Sequence, residues 1–137
     1  MSTAPEARLA VGLMATVQAV VTEDDTAIAA GTGDVPVLAT PRLLALAEAA
    51  CVAAIEPQLA AGQTSVGTAA QFEHRRAAPL GAELFVEAEL TEIDGSRLVF
   101  MFIARPGDGT DEVVGAGTLE RVVVDRERFL RRLRPPS

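Results

Sequence analysis

The segment LATPRLLALAEAACVAAIEP, residues 38–57, contains the longest apolar run of the chain, Leu43 to Ile55, and its pattern predicts one buried helix. Apolar side chains cover most of the helix circumference, as expected for a helix enclosed on several sides. Thr40 is a good N-cap, and Pro41 suits the first helical position because its missing N–H would have no partner there. The helix should weaken around Pro57. The charged side chain in its middle is Glu48, and a carboxylate in such surroundings needs a physical reason.

The segments on either side of this helix have the composition and alternation of β-strands. Before the helix, two strands are predicted at residues 14–21 and 25–31, followed by a loop rich in Gly and Pro at residues 31–36. After it, long strands are predicted at residues 64–75, 84–93, 97–105 and 113–125. Asp94-Gly95 is a strong signal for a tight turn between two of them. Gly115 and Gly117 indicate a bulge or a close backbone approach.

A single long apolar helix is buried only if a sheet curves around it. We therefore predict an α+β protein with the hot-dog fold, in which an antiparallel sheet wraps around one long central helix. Residues 1–137 fit a single domain. Such a sheet leaves an exposed edge, and edges of this kind are usually paired with another chain. A homodimer with a continuous sheet is the expected unit, and higher assemblies stay open.

The composition excludes some classes of binding partner. The net charge of −7 argues against general nucleic-acid binding, which needs many cationic phosphate contacts. The apolar run is too short to cross a bilayer, and the N-terminus lacks the pattern of a signal peptide, so a cytoplasmic protein without a membrane partner is expected. Two interpretations of the basic C-terminus stay open: a solvated helix face, or a patch for a ligand that carries phosphates. Its arginines are Arg126, Arg128, Arg131, Arg132 and Arg134.

The chain has one cysteine and one histidine, so neither a disulfide framework nor a zinc site is expected. Cys51 lies in the apolar helix, where a buried small side chain is favoured over a nucleophile. Neither a phosphate-binding glycine loop nor a dinucleotide fingerprint is present, and no cofactor is expected.

Three polar residues stand in apolar or small-residue surroundings: Thr40, Glu48 and His74. Thr40 and Glu48 are eight residues apart and fall on roughly the same side of a helix. A strand along that side would bring His74 near both, from its own chain or from a dimer partner. A buried unpaired carboxylate costs several kcal/mol, so Glu48 needs a partner or a proton, and it is a candidate nucleophile or general base.

Each of the three also has a simpler explanation. Thr40 alone is explained by helix capping, and His74 alone by a surface position on a strand. Glu48 is explained by a helix face that emerges into solvent, or by a structural ion pair with an arginine such as Arg75.

The segment from residue 38 to residue 90 resembles the fluoroacetyl-CoA thioesterase family, a branch of the hot-dog thioesterases. The matching features are Ala-Thr at the helix start, Glu-x-Ala-Cys-Val at its middle, Ser-x-Gly-Thr at the strand entry, a following His, and Pro-x-Gly before the next strand. GAGTLER, residues 115–121, fits as well, and the resemblance extends over roughly residues 11–130.

The resemblance implies that Thr40, Glu48 and His74 form the catalytic group, which cleaves an acyl-CoA thioester at an interface between two subunits. It places Gly67 where a backbone N–H holds the thioester carbonyl. Glu48 then attacks the carbonyl or activates water, and His74 assists proton transfer. Coenzyme A is part of the substrate and is not a cofactor. Candidate cations for its phosphates are Arg75, Arg76 and Arg121, which would otherwise be surface charges.

One part of the family's pattern is missing. Residues 31–39 contain none of the phenylalanines that form a lid over the acyl pocket, and Ala49 stands where a bulky aromatic residue is frequent. We therefore expect a thioesterase that is not selective for fluorine, acting on a short or small acyl group. Two alternatives stay open: hydration of an enoyl thioester, and a non-catalytic module that binds acyl thioesters.

Overall fold

The structure, a computed structural model, describes residues 8–133. Five strands and three helices are present in this range, with short 3-10 turns at Glu23–Asp25 and Glu56–Gln58. The strands are β1 (Met14–Val20), β2 (Gln63–His74), β3 (Glu83–Asp94), β4 (Arg97–Pro106) and β5 (Gly115–Asp125). The helices are α1 (Ala27–Ala30), α2 (Thr40–Ile55) and α3 (Arg126–Arg131).

All five strands form one antiparallel sheet in the order β1-β3-β4-β5-β2. The long helix α2 packs on this sheet, chiefly against β1 and β3. The predicted α+β architecture of a sheet around one central helix is confirmed. The order also leaves β2 at an edge of the sheet, on the side that α2 covers least.

Helix α2 has a buried face and an open face. Its buried residues recur every three or four positions, which is the spacing of a helix packed on a sheet. They are Leu43, Leu46, Ala47, Ala50, Cys51, Ala54 and Ile55. On the opposite side, Ala45, Ala49 and Ala53 are exposed, and Leu44 and Glu48 are half-buried. The chain therefore leaves an apolar strip of small side chains uncovered on its central helix.

A β-bulge in β2 decides which side chains face α2. Gly67 pairs with Arg121 of β5, but Ala69 pairs with Glu120, so Thr68 is the extra residue. Because side chains alternate along a strand, one extra residue reverses the alternation beyond it. Odd-numbered Ser65 and Gly67 before the bulge therefore share the helix-facing side of the sheet with even-numbered Phe72 and His74 after it.

Gly117 allows β2 and β4 to pack side chains across β5. In the sheet register, Phe102 of β4, Gly117 of β5 and Phe72 of β2 lie in one row. The Phe72 and Phe102 rings approach with their centroids 5.9 Å apart and their planes tilted by 58°. A Cβ at Gly117 would overlap the Gln71 carbonyl oxygen and the Phe72 backbone. Of the two features that this glycine indicated, the close approach of a neighbouring strand is confirmed. The β-bulge lies in β2 and not at Gly117.

The prediction of a strand at residues 25–31 is wrong. Thr26 makes a single isolated bridge to Leu38, and the chain then forms the short helix α1. The Thr26 hydroxyl accepts a hydrogen bond from the Ala29 N–H, and Gly31 ends the turn with φ 72°. This capping, together with the helix propensity of alanine, outweighs the weak strand signal of one isoleucine.

Replacing Gly117 with alanine should destabilise the fold. The added methyl group meets backbone atoms on β2 that no rotamer change can move, so we expect the free energy of unfolding to fall by about 3 kcal/mol. Urea denaturation followed by circular dichroism measures this loss. Gly33→Ala is the matched control, because its Cβ meets Ala27 at an ordinary 3.4 Å. Equal stability of the two variants would contradict the packing described here.

Candidate active site

Thr40 and His74 form the first half of the candidate site. The Thr40 hydroxyl lies 2.8 Å from His74 Nδ1, which joins the first turn of α2 to the last residue of β2. The expectation that Thr40 is the N-cap is wrong by one position. Ala39 occupies the cap, and the Thr40 side chain is left free to contact the imidazole. Helix capping therefore does not explain why a threonine stands here.

The other imidazole nitrogen, His74 Nε2, is buried and has no hydrogen-bond partner within the described residues. An unpaired buried nitrogen costs about 1–3 kcal/mol, and such groups in native structures call for a functional explanation. Burial lowers the pKa of His74 below its usual value, and a backbone contact with Arg76 opposes this shift. A neutral imidazole at pH 7 can accept a proton. An open cleft of about 370 Å³ borders the pair and is lined by Ala27, Val37, Leu38 and Arg76.

Glu48 lies in the second half of the site, in an ion pair with Arg121 of β5. Arg121 Nη1 donates to Glu48 Oε2 over 2.9 Å. The Arg121 side chain is only 9% exposed, whereas that of Glu48 is 39% exposed. The remaining arginine contacts go to Ser65 of β2, with Nε donating to its hydroxyl at 2.9 Å and Nη2 to its carbonyl oxygen at 3.0 Å. Three hydrogen bonds thus fix the guanidinium plane, and the guanidinium fixes one carboxylate oxygen.

Gly67 lies against the same carboxylate. A Cβ at this position would overlap Glu48 Oε2 and would approach Arg121 Nη1 to 3.4 Å. A side chain at this position would displace the Glu48 carboxylate from its place beside Arg121 and β2, and glycine leaves that place free. The Glu48 carboxylate is therefore held beside the backbone of β2, and it is exposed enough for a small molecule to reach it.

The two halves are separate within one chain. No hydrogen bond or ion pair joins Glu48 to Thr40 or His74 in residues 8–133. Eight helical residues correspond to about 12 Å along the axis of α2. Because β2 runs opposite to α2, Gly67 reaches the middle of the helix and His74 reaches its start. His74 was expected near both Thr40 and Glu48, from its own chain or from a dimer partner; within one chain it lies beside Thr40 and not beside Glu48.

The other predicted residues have these positions. Arg75 and Arg76 are exposed beside the Thr40–His74 pair, and each contacts a carboxylate: Arg75 lies 3.8 Å from Glu73, and Arg76 pairs with Glu112. Arg75 is therefore not the partner of Glu48. Arg121, the third candidate cation for the phosphates and otherwise a surface charge, is in fact buried, where it contacts Glu48 and Ser65.

Cys51 is fully buried, and burial raises the pKa of its thiol to about 12, so it is not a nucleophile. Within the described residues, no group of three acidic, histidine or cysteine side chains has the arrangement of a metal site. None of the helices described here has the length and hydropathy needed to cross a bilayer.

Sequence reasoning missed that Arg121 lies in the interior, where it contacts Glu48 and Ser65. A signal for the interior position was present, because Arg121 follows Leu119 at a two-residue spacing and so belongs to the helix-facing side of β5. A cation on the inner side of a strand predicts an acidic partner in the interior, and Glu48 is the candidate on α2. Ser65 carries no comparable signal, because its role depends on the register between β2 and β5.

The sheet order, the central helix and the half-buried carboxylate at mid-helix define a hot-dog protein of the thioesterase class. Comparisons with known proteins agree. The family model described as fluoroacetyl-CoA-specific thioesterase, FlK, matches residues 21–127. The fluoroacetyl-CoA thioesterase of Streptantibioticus cattleyicolor is 42% identical over 98 residues, which cover 72% of this chain and 68% of that protein.

Two solved structures show the same fold. A variant of FlK with a threonine-to-serine substitution, in complex with acetyl-CoA, is 32% identical, covers 90% of this chain and 95% of its own, and has a TM-score of 0.82. A thioesterase superfamily member from Thermus thermophilus is 26% identical, covers 96% and 94%, and has a TM-score of 0.79. The chain belongs to the fluoroacetyl-CoA-specific thioesterase family.

The Glu48–Arg121 pair should show coupled energetics. We expect the effects of Glu48→Gln and Arg121→Met on the free energy of unfolding to be non-additive by about 1–2 kcal/mol. This coupling lies between those of exposed and of buried ion pairs, because Glu48 is partly solvated. A double-mutant cycle built from urea denaturation of the four proteins measures this coupling. The Arg42–Asp25 pair, whose atoms lie 2.7 Å apart and whose arginine is 45% exposed, is the control and should give a smaller value. Additive effects at Glu48 and Arg121 would show that the contact contributes nothing to stability.

Proposed function

We propose that this protein is an acyl-CoA thioesterase in which Glu48 acts on the thioester carbonyl. The observation that carries the proposal is the position of Glu48, which Arg121 and Ser65 hold against the backbone of Gly67 at an accessible surface. Family membership and the acetyl-CoA complex of a related protein support this substrate class. Because acyl-CoA is an intracellular metabolite, the proposal implies a cytoplasmic location.

The chemistry requires an electrophile, a nucleophile and a proton acceptor. The Gly67 N–H holds the carbonyl oxygen as it gains negative charge, a role whose loss typically lowers a rate by ~10²–10³. Glu48 either attacks the carbonyl carbon, forming an anhydride that water cleaves, or removes a proton from the water that attacks. In both routes the C–S bond breaks and coenzyme A leaves as a thiolate. His74, oriented by Thr40, accepts a proton from water or delivers one to that thiolate.

The acyl group is short or small, and the enzyme is not selective for fluorine. The segment before Thr40 supplies small or aliphatic side chains to the cleft at His74, among them Ala27, Val37 and Leu38. The family pattern that the sequence resembles has lid phenylalanines in this segment, and residues 31–39 contain no aromatic side chain.

The functional unit is a homodimer formed through β2. This edge strand is twelve residues long, and its central residues Gly67–Gln71 are exposed and uncharged. An edge without lysine, proline or inward charge is open to strand pairing. The exposed Ala45, Ala49 and Ala53 of α2 give a second apolar surface, and small side chains allow close helix contact. A second copy covers both surfaces if the two β2 strands pair antiparallel.

Such pairing also joins the two halves of the site. If the two-fold axis passes between Ala70 and Gln71, midway between residues 67 and 74, then Gly67 of one copy lies opposite the partner's His74. The bulge at Thr68 has already turned both residues toward the helix layer. Each active site then combines Glu48 and Gly67 of one subunit with the partner's Thr40 and the partner's His74. This arrangement gives a buried imidazole nitrogen a role that the single chain lacks.

Glu48→Gln should abolish the release of free thiol from acyl-CoA. The amide cannot attack or accept a proton, so we expect kcat to fall by at least ~10³, whereas the loss of the ion pair with Arg121 should lower stability by only about 1–2 kcal/mol and leave the protein folded. A thiol-reactive dye, used across a panel of short-chain acyl-CoAs, measures the rate. Glu87→Gln, an exposed carboxylate on β3 away from both halves of the site, is the matched control and should keep full activity. Retention of most activity by the Glu48 variant would overturn the assignment; loss of enoyl absorbance without thiol release would indicate a hydratase.

Activity should depend on protein concentration. If each site needs two copies, specific activity falls on dilution together with the fraction of dimer. Light scattering should give about twice the chain mass of 14.3 kDa at concentrations where the enzyme is active. Full specific activity of a protein that measures as a monomer would contradict the shared site.

A further inference from the structure

Helix α3 concentrates positive charge at one end of the sheet of an otherwise acidic protein. It follows β5 directly, and Arg126, Arg128, Arg131 and Arg132 are all exposed. The Asp125 carboxylate that caps α3 accepts from the Arg128 backbone N–H. Within residues 8–133, none of the four guanidinium groups makes an ion pair. By contrast, Arg42, Arg75, Arg76, Arg97 and Arg121 all contact carboxylates.

A cavity of about 320 Å³ connects this helix with the neighbourhood of Glu48. It lies between the end of α2 and the start of β2, and it is lined by Val52, Gln63, Thr64, Ser65 and Arg126. Val52 is one helical turn beyond Glu48, and Ser65 is hydrogen-bonded to the arginine that pairs with Glu48. Polar uncharged side chains and one aliphatic wall suit a flexible chain that contains amides. Glu56 at the rim disfavours an anion inside the cavity itself.

The dimensions agree with the arm of a coenzyme A thioester. Gln63 pairs with Asp125, the residue before α3, and Gly67 lies four residues further along β2. Four strand residues span about 13 Å, a distance that a pantetheine arm bridges without being fully extended. A thioester carbonyl at Gly67 therefore brings the pyrophosphate of the same molecule to the start of α3.

The far side of α3 has an apolar surface between two cations. Val124 and Phe129 line a shallow cavity of about 200 Å³, which Arg128, Arg132 and Asp125 also border; the Asp125 carboxylate accepts a hydrogen bond from the Arg128 backbone N–H. An aromatic and aliphatic surface of this kind accepts the face of a purine ring, and guanidinium groups bind phosphate through paired N–H donors. Both parts of an adenosine phosphate thus find complementary groups on one short segment.

We propose that the arginines of α3 bind the phosphates of the substrate's nucleotide, with the pantetheine arm lying in the cavity along Val52 and Ser65. This inference rests on the proposed function and names the residues that hold the non-reacting end of the substrate. Arg126 binds the pyrophosphate at the mouth of the cavity, and Arg128 contributes a second cation on the other side of the helix.

The test compares two thioesters that carry the same acyl group. One is acyl-CoA, and the other is the N-acetylcysteamine thioester, which has no phosphate. For the double variant Arg126→Gln, Arg128→Gln, we expect KM for acyl-CoA to rise about tenfold or more, with kcat nearly unchanged, because charge-assisted hydrogen bonds are lost. KM for the truncated thioester should stay the same. Arg105→Gln, an exposed arginine at the far end of β4, is the matched control and should leave both values unchanged.

Calorimetric binding of coenzyme A gives a readout that does not depend on turnover. We expect the double variant to bind coenzyme A about tenfold more weakly, and adenosine 3′,5′-bisphosphate to compete with it on the wild-type protein. An unchanged KM and affinity, or an equal rise of KM for both thioesters, would overturn the inference. If the wild-type protein released no thiol from any thioester, the proposed function would be refuted instead. The binding of coenzyme A would still decide the role of α3.

Discussion

The contact between Glu48 and Arg121 is the constraint from which the rest of the site follows. A carboxylate in an otherwise apolar helix has to be compensated, and here the compensating cation comes from the adjacent sheet. Arg121 is itself buried, so it needs further partners, and Ser65 supplies both a hydroxyl and a carbonyl oxygen. β2 and β5 must therefore keep their register for Glu48 to keep its orientation. A side chain on Gly67, which pairs with Arg121, would push the carboxylate out of this orientation, because the carboxylate occupies the space of a Cβ there.

Beyond Gly67, the bulge at Thr68 connects the two halves of the site. Without the extra residue, His74 would point to the outer side of the sheet and would not reach Thr40. With it, one strand presents Ser65 and Gly67 to the middle of α2 and His74 to its start. The same strand is an exposed edge, so the residues that carry the chemistry lie where a second copy can approach. Fold, site and expected assembly thus depend on a single strand.

Sequence reasoning could predict the helix, the strands after it and the fold, because periodicity and turn residues report on local structure and burial. It failed at residues 25–31, where a hydroxyl cap and alanine content decided the conformation. It also placed the cap one residue late, and ordinary capping therefore stayed an alternative explanation for Thr40. Glu48 was recognisable as a residue in need of a partner, but the identity of that partner depended on the β2–β5 register and on the inner position of Arg121. Distances between groups on different elements, such as that between Glu48 and His74, are not encoded in any local pattern.

The proposed mechanism depends most on a shared active site, in which Glu48 of one subunit meets the partner's His74. Subunit mixing tests it directly. The Glu48→Gln and His74→Ala proteins should each be inactive, and the two are unfolded together in equal amounts and refolded. Random pairing makes half of the dimers mixed, and a shared site leaves one intact site in each, so about a quarter of the wild-type activity should return. Mixtures that show no more thiol release than the two variants alone would contradict the claim, because each site would then be built from one chain.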